Sequence, residues 1–259
     1  MAYSIKTPED IAVLREGGAR LARVVDEVAR MVRPGISVHD LDKKAEELIR
    51  AGGDEPAFLG YTPRGAKRTY PATMCISVNE EVVHGIPTED PRILKEGDIV
   101  SLDCGVAHKK LITDHAVTVI AGGGDEQARA LVSATKEALD VAIGVARAGA
   151  HVGDIGAAVE AVAARHHFGV AYQLGGHGVG YEVHEEPYVG NTGDRGTGEV
   201  LVPGMILALE PIFTEGMDGR VRLLKDGYTY VTRDGTRAAH FEHTILITDG
   251  AAEILTVLK

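Results

Sequence analysis

Apolar residues Ile11, Leu14, Leu21, Val25, Val28 and Met31, with Gly18 among them, recur at spacings of three and four near the start of the chain. That period places them on one face of a long helix. Thr7-Pro8-Glu9-Asp10 in front supplies a capping hydroxyl, a first-turn proline and acids favoured by the helix dipole. Arg33-Pro34-Gly35 stops this helix, and Ser37 caps a second with Val38, Leu41, Ala45, Leu48 and Ile49 on its apolar side. Gly52-Gly53 ends the second helix. Residues 61–71, with Pro63, Gly65 and basic or polar neighbours, read as an exposed loop. From Met74 the pattern turns strand-like as far as Val83, ahead of His84-Gly85-Ile86-Pro87. After Gly97, residues 98–105 read as a buried strand interrupted by Asp103. Asp114 precedes another β-branched strand, Ala116-Val117-Thr118-Val119-Ile120, closed by Gly122-Gly123-Gly124.

The second half repeats the first. A helix over about residues 125–148 ends at Arg147-Ala148-Gly149, and Val152, Asp154 and Ile155 follow it as Val38, Asp40 and Leu41 follow Arg33-Pro34-Gly35. Residues 201–210 line up with residues 94–103, and Glu242-His243-Thr244-Ile245 parallels Asp114-His115-Ala116-Val117. Each match alone is weak, and their shared order is what makes an internal repeat of them. The expectation is one domain over residues 1–259, with half-repeats of about 1–124 and 125–259.

Each half thus sets one acid inside an apolar strand and another at the start of a second: Asp103 and Asp114, then Glu210 and Glu242. An ionised carboxylate buried without a partner costs several kcal/mol, and Lys and Arg are sparse nearby. The acids are better explained as ligands converging on metal across a pseudo-twofold axis. Residues 175–187 read Gly-Gly-His-Gly-Val-Gly-Tyr-Glu-Val-His-Glu-Glu-Pro. Taken alone, that stretch is either a glycine loop with two surface histidines or a frame that aims His177 as a metal ligand or general base. With the four carboxylates, two divalent ions and an imidazole ligand from His177 balance the charge. Two metals roughly 3.5 to 4 Å apart can share a water, lower its pKa and polarise a carbonyl, which is hydrolytic chemistry.

Composition narrows the partners. The chain has 259 residues, 44% hydrophobic and 25% charged, enough for a sizeable core. A net charge of −11 with no run of Lys and Arg argues against nucleic acid or anionic membranes and favours peptides or metabolites. Charges at Lys6, Glu9, Asp10, Arg15, Glu16 and Arg20 leave no apolar stretch for a signal peptide. Cys75 and Cys104 have neither metal-type nor redox-type spacing, which suits a reducing cytoplasm.

These residues resemble the metallopeptidases of the pita-bread fold, and among them the type I methionine aminopeptidases. The likeness runs through Cys75-Ile76-Ser77-Val78-Asn79-Glu80, His84-Gly85-Ile86-Pro87, Gly97-Asp98-Ile99-Val100 with Asp103, and Gly176-His177-Gly178-Val179-Gly180 with His184-Glu185-Glu186-Pro187. It continues in Pro203-Gly204-Met205 with Glu210-Pro211 and in Phe241-Glu242-His243-Thr244. The resemblance implies an α+β fold of two pseudo-twofold halves, with a curved antiparallel sheet and outer helices. It implies that Asp103 binds one metal, that Asp114 and Glu242 bridge both, and that His177 and Glu210 complete the other. A bridging water would attack the first peptide carbonyl, with Glu210 shuttling its proton. His84 would steady the scissile amide nitrogen, and His184 would hydrogen-bond the substrate carbonyl. Phe58, Tyr61 and Cys75 occupy positions resembling the methionine pocket, where Tyr228 is either a further wall or hairpin packing. His115 and His243 either orient the bridging ligands or simply pack, while His108, His166 and His167 are expected in solvent.

Departures from the family pattern bear on substrate range and rate. The chain between Tyr61 and Cys75 is longer than the pattern, His115-Ala116-Val117 stands where a hydroxyl and a basic residue are usual, and Tyr181-Glu182-Val183 stands where an arginine is. The implied activity is removal of N-terminal methionine from peptides and nascent proteins whose second residue is small. The metal would be Co, Mn, Fe or Zn. A monomer in the cytoplasm is expected, any transient ribosome contact coming from the catalytic surface because so little chain precedes the first helix. The alternatives are a prolidase or Xaa-Pro aminopeptidase, whose relatives carry a large N-terminal domain, and a non-enzymatic binding module, whose relatives lose ligands.

Overall fold

Helix α1, Pro8–Met31, starts where the Thr7 hydroxyl accepts from the Asp10 N–H while the Asp10 carboxylate accepts from the Thr7 N–H. That reciprocal cap satisfies amide groups the first turn leaves unpaired. Helix α2, Val38–Ala51, is capped by the Ser37 hydroxyl, and α3, Glu126–Val145, by the Asp125 carboxylate. Helix α4 spans Val152–His166. The structure, a computed structural model, describes residues 3–63 and 65–258.

The main sheet has nine strands among the described residues. Its order is Glu55–Pro56, Ile99–His108, Leu111–Ile120, Glu242–Leu246, Ile206–Leu209, Gly175–Gly178 and Glu185–Gly190. Met74–Val78 also pairs with Ile99–His108, and Glu253–Ile254 with Glu242–Leu246. Every pairing in it is antiparallel. The helices cover this sheet in pairs. Leu21, Val25 and Val28 of α1 and Leu41 and Ile49 of α2 share one core with Ile76, Val100 and Leu102. Leu131 and Leu139 of α3 and Ile155 and Val159 of α4 share another with Leu207, Leu209 and Ile245. Gly18 lets α1 approach the C-terminal segment, since a Cβ there would lie 2.5 Å from the Leu255 carbonyl oxygen.

Three local expectations are corrected. Asp114 does not start its strand but lies inside it, because Leu111, Ile112 and Thr113 already pair with His108, Ala107 and Val106. The two-residue hairpin turn that permits this is Lys109-Lys110, with φ of 49° and 72°, a left-handed turn without the usual Asn or Gly. The described residues of 61–71 form a largely exposed loop except at Tyr70, where the Gly60 N–H donates to the Tyr70 carbonyl at 2.9 Å and the Tyr70 N–H to the Tyr61 carbonyl at 2.8 Å. Tyr70 is buried, and its hydroxyl donates to the Gly85 carbonyl at 2.7 Å. His108 is buried as well, its Nδ1 2.6 Å from Asp54 Oδ1. His166 and His167 are exposed, as expected.

The N-terminal segment is fastened by a buried cation. Lys6 Nζ lies 2.7 Å from Glu185 Oε2 and 4.4 Å from the centre of the Tyr181 ring, with the Lys6 side chain 1% exposed. Glu185 Oε1 accepts the backbone N–H groups of Tyr181 at 2.6 Å and Glu182 at 3.2 Å. The pair therefore ties residues before α1 to the turn that carries His184. Lys6→Met is expected to lower stability by about 3–5 kcal/mol, because it strands a largely buried carboxylate. Denaturant midpoints check this, and adding Glu185→Gln should return most of the loss.

Candidate active site

Strand register brings the predicted metal ligands to one face. Across the main sheet Asp103 pairs with Ala116, and Ala116 pairs with Glu242, so these three side chains stand in a row. Cross-strand partners share a face, as do residues two apart along a strand. Asp114, two before Ala116 and opposite Gly105, therefore joins the same face. His177 pairs with Ala208, and Ala208 with Thr244, two beyond Glu242. Glu210 follows Leu209, whose partner is His243, and so arrives at the level of Glu242. Gly105 makes room for the Phe58 ring, since a Cβ there would lie 2.6 Å from it. Gly176 serves His177 differently: a Cβ there would sit 2.2 Å from the Ala208 carbonyl oxygen, so only glycine lets these strands close.

The distances agree with convergence. Ligand atoms of Asp114, His177 and Glu242 lie within 4.8 Å of one another. His177 Nε2 is 3.6 Å from Glu210 Oε1. His177 Nδ1 lies 2.8 Å from the Gly178 carbonyl, which makes Nδ1 the protonated nitrogen and turns the Nε2 lone pair inward. Burial, then the neighbouring His184, lowers His177 to about 3, so the ring is neutral. Burial pushes Asp103 up to about 7. Burial first, and the neighbouring carboxylates after it, hold Asp114, Glu210 and Glu242 well above the usual range.

The donor set fits divalent metal. Asp103 Oδ1 and Glu242 Oε1 are buried with no hydrogen-bond partner. The cavity is lined by all five predicted ligands and contains no Lys or Arg among its described residues. Four buried carboxylates with no Lys or Arg among them, beside one inward-facing imidazole nitrogen, are a donor set suited to divalent cations.

Around these acids stand the other predicted residues. His84 follows the strand Glu81–Val83 with a left-handed φ of 59° and lines the cavity. Burial, then His184, lowers it to about 4, leaving a neutral imidazole. His184 Nδ1 is 2.9 Å from the Tyr61 hydroxyl, and its ring centre is 4.4 Å from that of His177. Phe58, Cys75 and Tyr228 form one apolar cluster with Tyr70 and Val183 beside the acids. Tyr228 is buried and lines the cavity, and its hydroxyl donates to the Arg68 carbonyl of the loop above. His115 and His243 stack at 4.7 Å, and His115 Nδ1 meets the Glu242 carbonyl at 2.5 Å. Alternation puts both on the opposite face from the acids, so His115 holds the ligand's main chain and leaves its carboxylate free.

Sequence reading missed Tyr70, Val183 and His240. Tyr70 sits in what looked like open loop, and Val183 carries no chemical signal of its own. His240 is 2% exposed, and its Nε2 lies 3.6 Å from Glu210 Oε2. Its place two positions before Glu242 was the available clue.

Comparison with known proteins points the same way. Residues 12–249 match metallopeptidase family M24. The chain is 43% identical over 260 residues to the methionine aminopeptidase of Aquifex aeolicus, covering 100% of both chains. It superposes on the crystal structure of the Thermotoga maritima methionine aminopeptidase with a TM-score of 0.93 and 43% identity, covering 98% of this chain and 99% of that one. The prolidase of Pyrococcus furiosus shares the fold alone, at a TM-score of 0.76 and 21% identity, with 98% of this chain and 66% of that one covered.

Proposed function

The chain belongs to metallopeptidase family M24, among the methionine aminopeptidases, and from that premise we propose that the cavity removes N-terminal methionine from peptides and nascent proteins with a small second residue. The activity is that of a metalloexopeptidase with an α+β pita-bread fold. One observation carries the site assignment: Asp103, Asp114, His177, Glu210 and Glu242 share a sheet face around a cavity that offers no Lys or Arg among its described residues.

In this reading those five residues would hold two divalent ions. Such ions supply Lewis acidity, making water acidic near neutral pH and polarising the carbonyl under attack. Glu210, whose burial favours proton uptake, takes the proton of the attacking water and returns it to the leaving amine. His84, neutral, steadies the scissile amide nitrogen. His184, held by the Tyr61 hydroxyl, hydrogen-bonds the carbonyl oxygen as charge develops on it. The methionine side chain lies against Phe58, Tyr61, Cys75 and Tyr228, an aromatic and thiol wall suited to a thioether.

We read residues 1–259 as one catalytic domain with halves of 1–124 and 125–259. Each half opens with a helix pair and contributes carboxylates to the site. The protein would act as a monomer in the cytoplasm, with any transient ribosome contact made by the catalytic surface. No helix among the described residues is long and apolar enough to cross a membrane.

Mass spectrometry of Met-Ala-Ser, Met-Leu-Ser and Ala-Pro-Ser peptides, after chelation and again with Mn or Co, tests the reading. Metal-dependent loss of methionine from Met-Ala-Ser alone is the expected result. The second peptide should react about 10²-fold more slowly or less, the scale at which a tight pocket rejects bulk. Cleavage of Ala-Pro-Ser would favour proline-directed chemistry, and inertness with every metal would favour a binding module.

A further inference from the structure

His240 ends the strand Ala238–His240, and its buried Nε2 has no hydrogen-bond partner. That nitrogen faces two carboxylate oxygens, Glu210 Oε2 at 3.6 Å and Glu242 Oε2 at 3.7 Å. Glu210 is thereby bracketed by imidazoles, since its Oε1 stands 3.6 Å from His177 Nε2. The backbone of His240 is clamped: the Thr118 hydroxyl accepts its N–H at 2.9 Å and donates to its carbonyl at 2.6 Å. Ser101 Oγ lies 2.8 Å from the same hydroxyl, so the strand cannot drift. A buried donor left without an acceptor costs about 1–3 kcal/mol, and both oxygens are only ~0.7 Å beyond ordinary hydrogen-bond length.

We propose that His240 is a positioning residue of the metal centre, whose Nε2–H donates to Oε2 of Glu210 and of Glu242. It fixes which oxygen of Glu210 turns towards His177. Ligating carboxylates held by a second hydrogen bond bind metal more tightly, because less side-chain freedom is lost on binding. The inference rests on the metal site proposed above, and it concerns a residue outside the five ligands.

The test compares metal-stripped wild type, His240→Ala and His240→Gln by calorimetric titration with Mn(II). His240→Ala should weaken Mn(II) binding by about 10- to 100-fold, and His240→Gln, which keeps an N–H donor, should recover most of it. Wild-type affinity in His240→Ala overturns the proposal, whereas a wild type that binds no Mn(II) overturns the metal site itself. Two measurements do not depend on how well the alanine variant folds. Long-range ¹H–¹⁵N spectra of the zinc-loaded wild type should show Nε2 of His240 protonated, with the signal identified by its loss in His240→Gln. X-ray absorption should count the same number of imidazoles on zinc in wild type and His240→Gln. An unprotonated Nε2, or one imidazole fewer in the glutamine variant, would make His240 a direct ligand and refute the positioning role.

Discussion

Asp114→Asn is expected to abolish metal binding at stoichiometric concentration and to lower kcat/KM by about 10³-fold. The figure follows from a metal's stabilisation of transition-state charge, several kcal/mol, at 1.36 kcal/mol per tenfold. Asp114 is 3% exposed in mid-strand, with its carboxylate beside those of Asp103 and Glu210. Asparagine keeps the shape and removes the charge, so loss of function cannot be blamed on a cavity. Stability should move in the opposite sense when metal is absent. The metal-free variant should melt higher than metal-free wild type, because a buried carboxyl that has to take up a proton on folding is gone. Mn(II) at about 100 times its dissociation constant should then add ~2.7 kcal/mol to the wild type and nothing to the variant. Elemental analysis and melting curves with and without Mn(II) read both effects. Normal metal content with normal turnover would remove Asp114 from the ligand set.

His84→Asn should separate chemistry from metal binding. Metal content is expected to stay at the wild-type level while kcat falls by about 10²–10³-fold, the usual cost of losing a positioned hydrogen-bonding group at the reacting amide. Asparagine is chosen over alanine because His84 holds a φ of 59°. Asparagine tolerates that left-handed conformation through its own local hydrogen bonds, whereas alanine would add strain of about 1–2 kcal/mol and blur the result. The left-handed turn aims the imidazole into the cavity from the end of the Glu81–Val83 strand. Unchanged kcat would place His84 in the wall of the site without a share in the reaction.

Much of the site was legible because its signals are local or repeat. Thr7 and Ser37 cap helices by bonds that span two or three residues, and such bonds are written in neighbouring positions. Carboxylates inside apolar strands stand out for the same reason: each contradicts its own neighbourhood, and the repeat shows the contradiction twice. His108 was misread because its partner, Asp54, lies 54 positions away, and no spacing rule connects a hairpin end to the residues after α2. Lys6 looked like an ordinary charge ahead of a helix, yet it pairs with Glu185 across 179 positions. Tyr70 stands among loop residues in the sequence, and the bond that buries it joins its hydroxyl to the distant Gly85 carbonyl.

The caps of the first two helices, the apolar strands, the acids that break them and a resemblance specific enough to name a chemistry were readable from the residues alone. Helix caps and periodicity act within a few residues, and short motifs carry their meaning wherever they fold. Tertiary structure alone decided which face each acid takes, because register across the sheet puts Asp103, Ala116 and Glu242 in one row. It also decided that His240 joins them while His115 and His243 turn away. An imidazole beside a ligand in sequence points to the opposite face of a strand, whereas His240 reaches Glu210 and Glu242 from the end of a separate strand, Ala238–His240.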